Sequence, residues 1–415
     1  MSDNAAGLPP EVENNDERDL FGLESCVRCG SCKARCPTYE EDPHEGMSAR
    51  GRAVLLDSFL RGEIGVSDKL DGRIQSCMLC GSCSRICPLG ISVPGAVYHA
   101  RSMLRSRTRK RRMLNLGARL AVKKAREGFV VAKWLKAAGA FLPLERFEPY
   151  QLMKDLDLQF PDRVLREGTS IFKVSRSRGR IAVFAGCTVN YLFPSLGADL
   201  IRSLNALRFD VIMPRGEACC AAPLLSLGLV EDAAAMAEKN VRLYRGLNTE
   251  AVISLCPTCT HFIGHEYGRL IGEGIDNTRE VSQFFADRMK EGDFDGKAPL
   301  TPHRQGKKII YHDPCHAVNY FGARAEPRDI LSSMGISLTE PKDRGCCGFA
   351  GTFRVLHGDL SKAILERRIG DYADADTIVT SCPNCMIQFR SRMKDKEIKH
   401  IIEYIRYALP GGRHG

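Results

Sequence analysis

The sequence predicts a multidomain chain: a small α-helical domain, then two duplicated, cysteine-rich α/β domains of Rossmann-like pattern. Three observations predict it. Two near-identical cysteine runs lie within residues 20–100, on either side of a stretch with helical periodicity. From Arg180 onward, short apolar runs alternate with amphipathic ones, the pattern of a parallel three-layer unit. That alternation occurs a second time, and the cysteines recur in step with it.

Residues 1–19 are acidic and polar and are read as a disordered tail. The helical domain takes residues 20–100, with Val54, Leu55, Phe59 and Leu60 at helical spacing between Ser48 and Arg61. Residues 101–178 hold no cysteine and are read as a basic helical linker with breaks near Pro143, Pro149 and Pro161. The first α/β domain takes residues 179–290. Its predicted strands are RIAVFAG, FDVIMP and EAVISL, with helices SLGADLIRSLNALR and EDAAAMAEKNVRLYRGL between them. After a linker around 290–306, the second takes residues 305–410. Its strands are KKIIYHD, SLTEP and TIVTS, and its helices fall in ARAEPRDILSSMG and DLSKAILERRIGDYAD. Cys187 and Cys315 are 128 positions apart, and Cys219 and Cys346, like Cys220 and Cys347, are 127 apart. Cys256 and Cys382, like Cys259 and Cys385, are 126 apart. A near-constant offset over five cysteines marks a duplicated domain.

An apolar fraction of 44% and a charged fraction of 27% are ordinary for a globular protein. Eighteen cysteines are not; such a number serves disulfides in an exported protein or metal binding. The N-terminus has no basic segment leading into an apolar one, and no run reaches about 18 apolar residues. The expectation is a cytoplasmic chain without a transmembrane helix, whose cysteines are metal ligands.

All eighteen cysteines fall into four ordered sets. Cys26, Cys29, Cys32 and Cys36, followed by Pro37, have the spacing C-x2-C-x2-C-x3-C-P, and Cys77, Cys80, Cys83 and Cys87, followed by Pro88, repeat it. This is the ferredoxin spacing, in which three thiolates wrap one cubane face and the fourth cysteine serves the other cluster. One [4Fe–4S] cluster is therefore assigned to Cys26, Cys29, Cys32 and Cys87, and the other to Cys77, Cys80, Cys83 and Cys36. Gly30 and Gly81 let the backbone approach the sulfurs. The alternative, a pair of zinc knuckles, uses two separated C-x2-C pairs instead of this tight run.

In each repeat one cysteine follows the first strand, an adjacent pair follows the second, and a C-x2-C follows the third. The first set is Cys187, Cys219, Cys220, Cys256 and Cys259; the second is Cys315, Cys346, Cys347, Cys382 and Cys385. Loops after parallel strands converge on one sheet edge, so five thiols meet there. Five exceed the needs of tetrahedral zinc and suit a multi-iron cluster, with zinc plus one spare thiol as the alternative.

The doubled C…CC…C-x2-C signature behind two ferredoxin runs resembles the glycolate oxidase iron–sulfur subunit family. It is similar also to the catalytic subunit of heterodisulfide reductase and the small subunit of anaerobic glycerol-3-phosphate dehydrogenase. The resemblance covers roughly residues 20–405 and is carried by SARGR, YHDPCH, GCCGFAGTF and SCPNCMIQF. It implies a non-cubane [4Fe–4S] cluster at each five-cysteine set. The first repeat departs from the pattern, with Ala221 after its cysteine pair where the second has Gly348.

The chain lacks G-x-G-x-x-G after a strand and G-x-x-x-x-G-K-[ST], so no flavin or nicotinamide site is expected in it. Iron–sulfur clusters move single electrons, whereas oxidising a hydroxy acid is a two-electron step. The expected partner is thus an FAD-linked flavoprotein dehydrogenase, with electrons passed toward a membrane quinone; no catalytic residue is assigned. The alternative function is a thiol–disulfide reductase whose own cluster is catalytic. His261, His312 and His316, beside the cysteines, are read as loop histidines bonding the backbone, with proton donation as the alternative.

The net charge of +10 is concentrated in residues 101–126, which hold eleven Lys or Arg and no Asp or Glu. With Met113, Leu116 and Leu120 on one face and Trp134 beyond, the stretch suits a helix lying on the inner face of the cytoplasmic membrane. A partner-docking surface and a linker packed on the chain's own domains are the alternatives. No nucleic-acid partner is expected, because no stacking platform accompanies the charge.

Overall fold

The structure, a computed structural model, describes residues 21–104, 109–139, 147–165, 168–294 and 306–409, without the side chains of 109–111. The acidic tail and most of the linker around 290–306 lie outside the described residues.

In the helical domain, Ser48 caps the helix Ala49–Leu60 by accepting from the Gly51 N–H at 2.9 Å. Helices Asp68–Gln75 and Val93–Leu104 pack against it and bury Leu56, Ile74 and Ala96 in one cluster.

The first sheet comprises β1 (Ser170–Phe172), β2 (Gly179–Val183), β3 (Phe209–Met213), β4 (Ala251–Ser254) and β5 (Thr278–Glu280), in the order β1-β3-β2-β4-β5. Its strands are parallel except β1, which runs antiparallel to β3. The second comprises β6 (Ile309–His312), β7 (Leu338–Thr339), β8 (Thr377–Thr380) and β9 (Glu397–His400), all parallel, in the order β7-β6-β8-β9. Every residue of β4, β6 and β8 is buried, which is why these strands read as unbroken apolar runs. From β2 in the first sheet and β6 in the second, the chain starts in the middle, steps to one side, then crosses to the other. The loops after β2, β3 and β4, and those after β6, β7 and β8, therefore open on one edge each.

Three strands escape the sequence reading. β1 comes from the stretch read as linker, and β5 and β9 are short edge strands whose polar residues carry little apolar signal.

The domains do not have separate cores. One apolar cluster joins Leu56, Ile74 and Ala96 to Ala182, Phe184 and Leu224 of the first α/β domain. Another joins the opposite face of that sheet, through Ile181, Val183 and Leu200, to Ile310, Val379 and Ile402 of the second. The α/β domains also exchange helices. Val281–Lys290, which follows β5, packs on Ala325–Ser333 of the second domain. Ile401–Ala408, which follows β9, packs on Pro194–Ala206 of the first. The exchange is reciprocal, as a pseudo-twofold interface requires.

The basic stretch forms helices Arg109–Lys123 and Ala125–Ala138, and part of its charge is structural. Arg101 is buried and donates to the carbonyls of Ile74, Gln75, Cys77 and Ser226 at 2.6 to 3.3 Å. It thereby ties the second ferredoxin run to the first α/β domain. Arg119 and Lys123 both pair with Asp232, at 2.6 and 2.8 Å. Met113, Leu116, Leu120 and Trp134 are exposed. No described helix is long and apolar enough to cross a membrane.

Replacing Arg101 with Met removes charge-assisted hydrogen bonds and strands four buried carbonyls. The expected loss is on the order of 3 kcal/mol, read as a lower midpoint of thermal unfolding. Arg119→Ala, which breaks a half-exposed ion pair, is expected to lose less than about 1 kcal/mol.

Candidate functional site

Each ferredoxin run turns on left-handed backbone. Arg28 and Gly30 in the first run, and Leu79 and Gly81 in the second, have φ between 56° and 86°. Such alternation curls successive N–H groups into a concave nest suited to anionic sulfur. One cavity is lined by Cys26, Cys29, Cys32, Cys83 and Cys87. A second is lined by Cys36, Cys77, Cys80 and Cys83. The fourth cysteine of each run thus lies with the first three of the other. Beside Cys36 sits Arg52, the second arginine of SARGR, only 1% exposed. It donates to Met47 O, Arg73 O, Ser76 Oγ and Thr38 Oγ1 at 2.7 to 3.0 Å, and its Nη1 lies 3.8 Å from Cys36 Sγ. Burial pushes the Cys80 thiol up to about 12, so that sulfur is anionic only with a cationic partner.

One helix of the second α/β domain reaches the second run directly. Cys315–Phe321 begins at a cysteine of the second five-cysteine set. Near its other end Asn319 Nδ2 donates to Cys80 O at 2.9 Å and Ser82 Oγ at 3.0 Å. The Tyr320 ring covers Gly81 so closely that a Cβ there would stand 2.7 Å from it.

The two five-cysteine sets face each other across one cleft. Cys187, Cys220, Cys256 and Cys259 line one side, and Cys315, Cys346, Cys347, Cys382 and Cys385 the other. Cys219 joins the first set through hydrogen bonds to Cys187 and Cys220. Cys256 and Cys382 each cap a helix that opens on proline, and their thiols hydrogen-bond to each other between the domains. Asn384, which the sequence reading does not single out, donates to Cys256 Sγ at 3.6 Å and accepts from Thr188 Oγ1 at 3.0 Å. No Lys, Arg, Asp or Glu lines the cleft among the described residues. Hydrogen bonds from Cys219 and Cys259 hold the Cys220 thiol down at about 6, and those from Cys315 and Cys347 hold Cys346 well below the usual thiol range. The accompanying rise of Cys259 and Cys315, which these bonds keep protonated, shows that each set sustains few thiolates unaided. The donor set fits a multi-metal group, whose positive charge would let the remaining thiols ionise.

The histidines differ from expectation. His261 Nε2 lies 3.2 Å from Glu266 Oε1, and its ring stacks on Tyr320 with centroids 3.6 Å apart. His316 Nδ1 lies 3.5 Å from Cys315 Sγ. His312 is the last residue of β6, fully buried, with Nδ1 2.8 Å from the Tyr372 hydroxyl and no hydrogen-bond partner at Nε2 among the described residues. One ring nitrogen and the Sγ atoms of Cys347 and Cys385 lie within 4.8 Å of one another. Burial lowers His312 and His316 to about 4, so both rings are neutral at pH 7. These side chains sit among thiols, carboxylate and phenol because tertiary packing brings those groups to them, which a loop position in sequence does not reveal.

Comparisons with known proteins agree with this geometry. The 4Fe–4S dicluster domain matches residues 22–91, and the cysteine-rich domain matches residues 181–264 and 309–390. The chain is an iron–sulfur protein with a dicluster domain and two cysteine-rich domains. Its homologues include the glycolate oxidase iron–sulfur subunit of Escherichia coli, 27% identical over 93% of this chain and 94% of that one. They include one subunit of the dihydromethanophenazine:CoB–CoM heterodisulfide reductase of Methanosarcina acetivorans, 26% identical over 96% of this chain and 97% of that one. One subunit of the fumarate reductase (CoM/CoB) of Methanothermobacter marburgensis is 26% identical over 96% of this chain and 74% of its own length. All three are subunits of oxidoreductases.

The residue after each cysteine pair adopts the same left-handed form in this iron–sulfur protein, Ala221 with φ 69° and Gly348 with φ 87°. At 348 a Cβ would stand 2.8 Å from Ser361 O, so glycine is required there by space as well as by φ. Gly348→Ala is expected to lower the thermal midpoint and the iron content of the second site. Ala221→Gly relieves a strain of about 1 kcal/mol in the first and is expected to leave both unchanged or slightly raised.

Proposed function

We propose that this chain is the iron–sulfur electron-transfer subunit of an FAD-linked 2-hydroxy-acid oxidoreductase of the glycolate or lactate type. It takes electrons from a flavoprotein subunit and passes them toward a membrane quinone or another acceptor. Cys26, Cys29, Cys32 and Cys87 would hold one cubane cluster, and Cys77, Cys80, Cys83 and Cys36 the other. The five-cysteine sets would hold non-cubane [4Fe–4S] clusters. When bound, such clusters take up and release one electron at a time. The observation that carries the reading is the continuity of the cysteine sets. The first run borders the second, and the helix Cys315–Phe321 links the second run to the paired sets. Likeness to the glycolate oxidase iron–sulfur subunit over nearly the full length of both chains supports the choice of partner.

A second reading, a thiol–disulfide reductase, is favoured by one observation: both five-thiol sets open on a single uncharged cleft. Likeness to the heterodisulfide reductase chain supports it equally in extent. One anaerobic experiment separates the two. The chain, purified from its native cells with whatever accompanies it, is analysed for iron, flavin and haem. It is then challenged with glycolate, lactate and a dithiol pair. About sixteen irons per chain, co-purified FAD and cluster reduction by a hydroxy acid are expected. A haem-containing membrane partner, and reduction by thiols alone, would replace the first reading with the second.

The exposed Met113, Leu116, Leu120 and Trp134, beside the basic residues, support a peripheral position on the membrane face. Trp134→Ala is expected to weaken co-sedimentation with anionic vesicles at low and high salt alike, because apolar burial is not screened. Arg112→Glu is expected to weaken it only at low salt. Indifference to both changes would leave the stretch as a partner-docking surface or linker.

A further inference from the structure

We propose that His312 donates a hydrogen bond from its Nε2–H to the sulfur of the second five-cysteine site, and that this sets the second site apart from the first. The inference rests on the reading that the site holds an iron–sulfur cluster, and it specifies how this chain tunes that cluster.

His312 stands three residues before Cys315, and Phe184 stands three residues before Cys187. Both side chains are buried. Their aromatic partners are equivalent as well: Tyr372 and Tyr244 lie 128 positions apart, the same offset as His312 and Phe184. In the first repeat the Tyr244 hydroxyl meets Glu217 Oε2 at 2.6 Å and Val183 O at 3.1 Å. In the second, among the described residues, the Tyr372 hydroxyl has His312 Nδ1 as its hydrogen-bond partner, at 2.8 Å.

That contact fixes the tautomer. A buried phenol must place its hydrogen on an acceptor, and Nδ1 is the one it has. Nδ1 is therefore bare, and the ring hydrogen sits on Nε2. The opposite tautomer would donate from Nδ1 and leave the phenol hydrogen with no acceptor. Nε2 is buried and without a partner among the described residues, while Cys347 and Cys385 place their sulfurs at the same ring. An N–H so placed is satisfied by anionic sulfur. Donors to cluster sulfurs favour the more negative, reduced state and raise the reduction potential. Phe184 offers no such donor, so the duplicated sites are unequal.

The test uses the full chain, purified anaerobically, with iron and sulfide counted and a redox titration followed by EPR. The second-site couple is identified by its loss in Cys385→Ser. His312→Phe, which copies the first repeat, is expected to keep its iron and to shift the oxidised-to-reduced ratio about tenfold toward oxidised, which for one electron is about 59 mV lower. His312→Gln, whose amide N–H reaches to a similar point, is expected to stay near the wild-type value. Tyr372→Phe keeps the ring but frees its tautomer, so it lowers the same couple by a smaller amount; it carries the test if His312→Phe fails to fold. Full iron with an unmoved couple in His312→Phe and Tyr372→Phe overturns the proposal alone. Loss of second-site iron from both His312 variants overturns it too, because the ring would then be a ligand. About eight irons in the unmutated chain would overturn the cluster reading, and this inference with it.

Discussion

Anionic sulfur taken out of water must be met by cations or N–H groups, because burial favours the neutral thiol. The chain meets this demand differently at each site. In the ferredoxin runs, paired left-handed residues supply nests of N–H groups, and the buried guanidinium of Arg52 sits beside Cys36. The cleft between the α/β domains has no charged side chain in its lining among the described residues. There one thiol is held low only because its neighbours donate to it, as Cys219 and Cys259 do for Cys220. A neighbour that donates must stay protonated, so hydrogen bonding among thiols cannot ionise a whole set. Bound metal can, and that makes these sites dependent on their contents. The second ferredoxin run shares that dependence, because burial raises the thiols of Cys80 and Cys83 as well.

The fold supplies the cysteines through strand ends. Parallel strands laid down from the middle outward, as from β2 and from β6, bring three successive loops to one edge, and duplication gives two such edges. What turns two edges into one cleft is the reciprocal exchange of Val281–Lys290 and Ile401–Ala408, which packs each domain's last helix on the other. The Cys256–Cys382 contact joins the two domains within that cleft. Neither α/β domain could tilt away without breaking a hydrophobic interface on its far side.

Much of this is legible in the sequence because metal chemistry demands fixed spacing. The ferredoxin runs and the offset of the five-cysteine sets announce themselves before any strand is assigned, and the central strands follow from apolar runs that must be buried on both faces. The edge strands β1, β5 and β9 are not legible, because three or four residues are too few to show a period. Nor are Arg52 and Arg101. A buried arginine is spelled like a surface one, and Arg101 counts in the basic surplus of residues 101–126 although its charge is spent on four carbonyls. His312 was within reach. Superposing the two repeats sets it against Phe184, and a polar residue facing an apolar one at a buried repeat position is a signal that one site does something the other does not.

Duplication alone would give two equal sites, but a pseudo-twofold axis can relate only what occurs twice. The helical domain occurs once. It shares a core with the first α/β domain, through Leu56, Ala96 and Phe184, yet its second ferredoxin run touches the second domain's cysteine helix through Asn319 and Tyr320. The second domain supports it too: Met78 and Cys80 enter the cluster that holds Ile310 and Val379, and Glu40 and Glu41 pair with Arg368 and Arg367. Gly348 and His312 stand in the repeat whose cysteine helix meets the second ferredoxin run, and Ala221 and Phe184 hold the equivalent positions in the other. The near-symmetric cleft therefore meets the single helical domain unequally, and two of the positions at which its halves differ, 312 and 348, lie beside sulfur or shape the turn next to it.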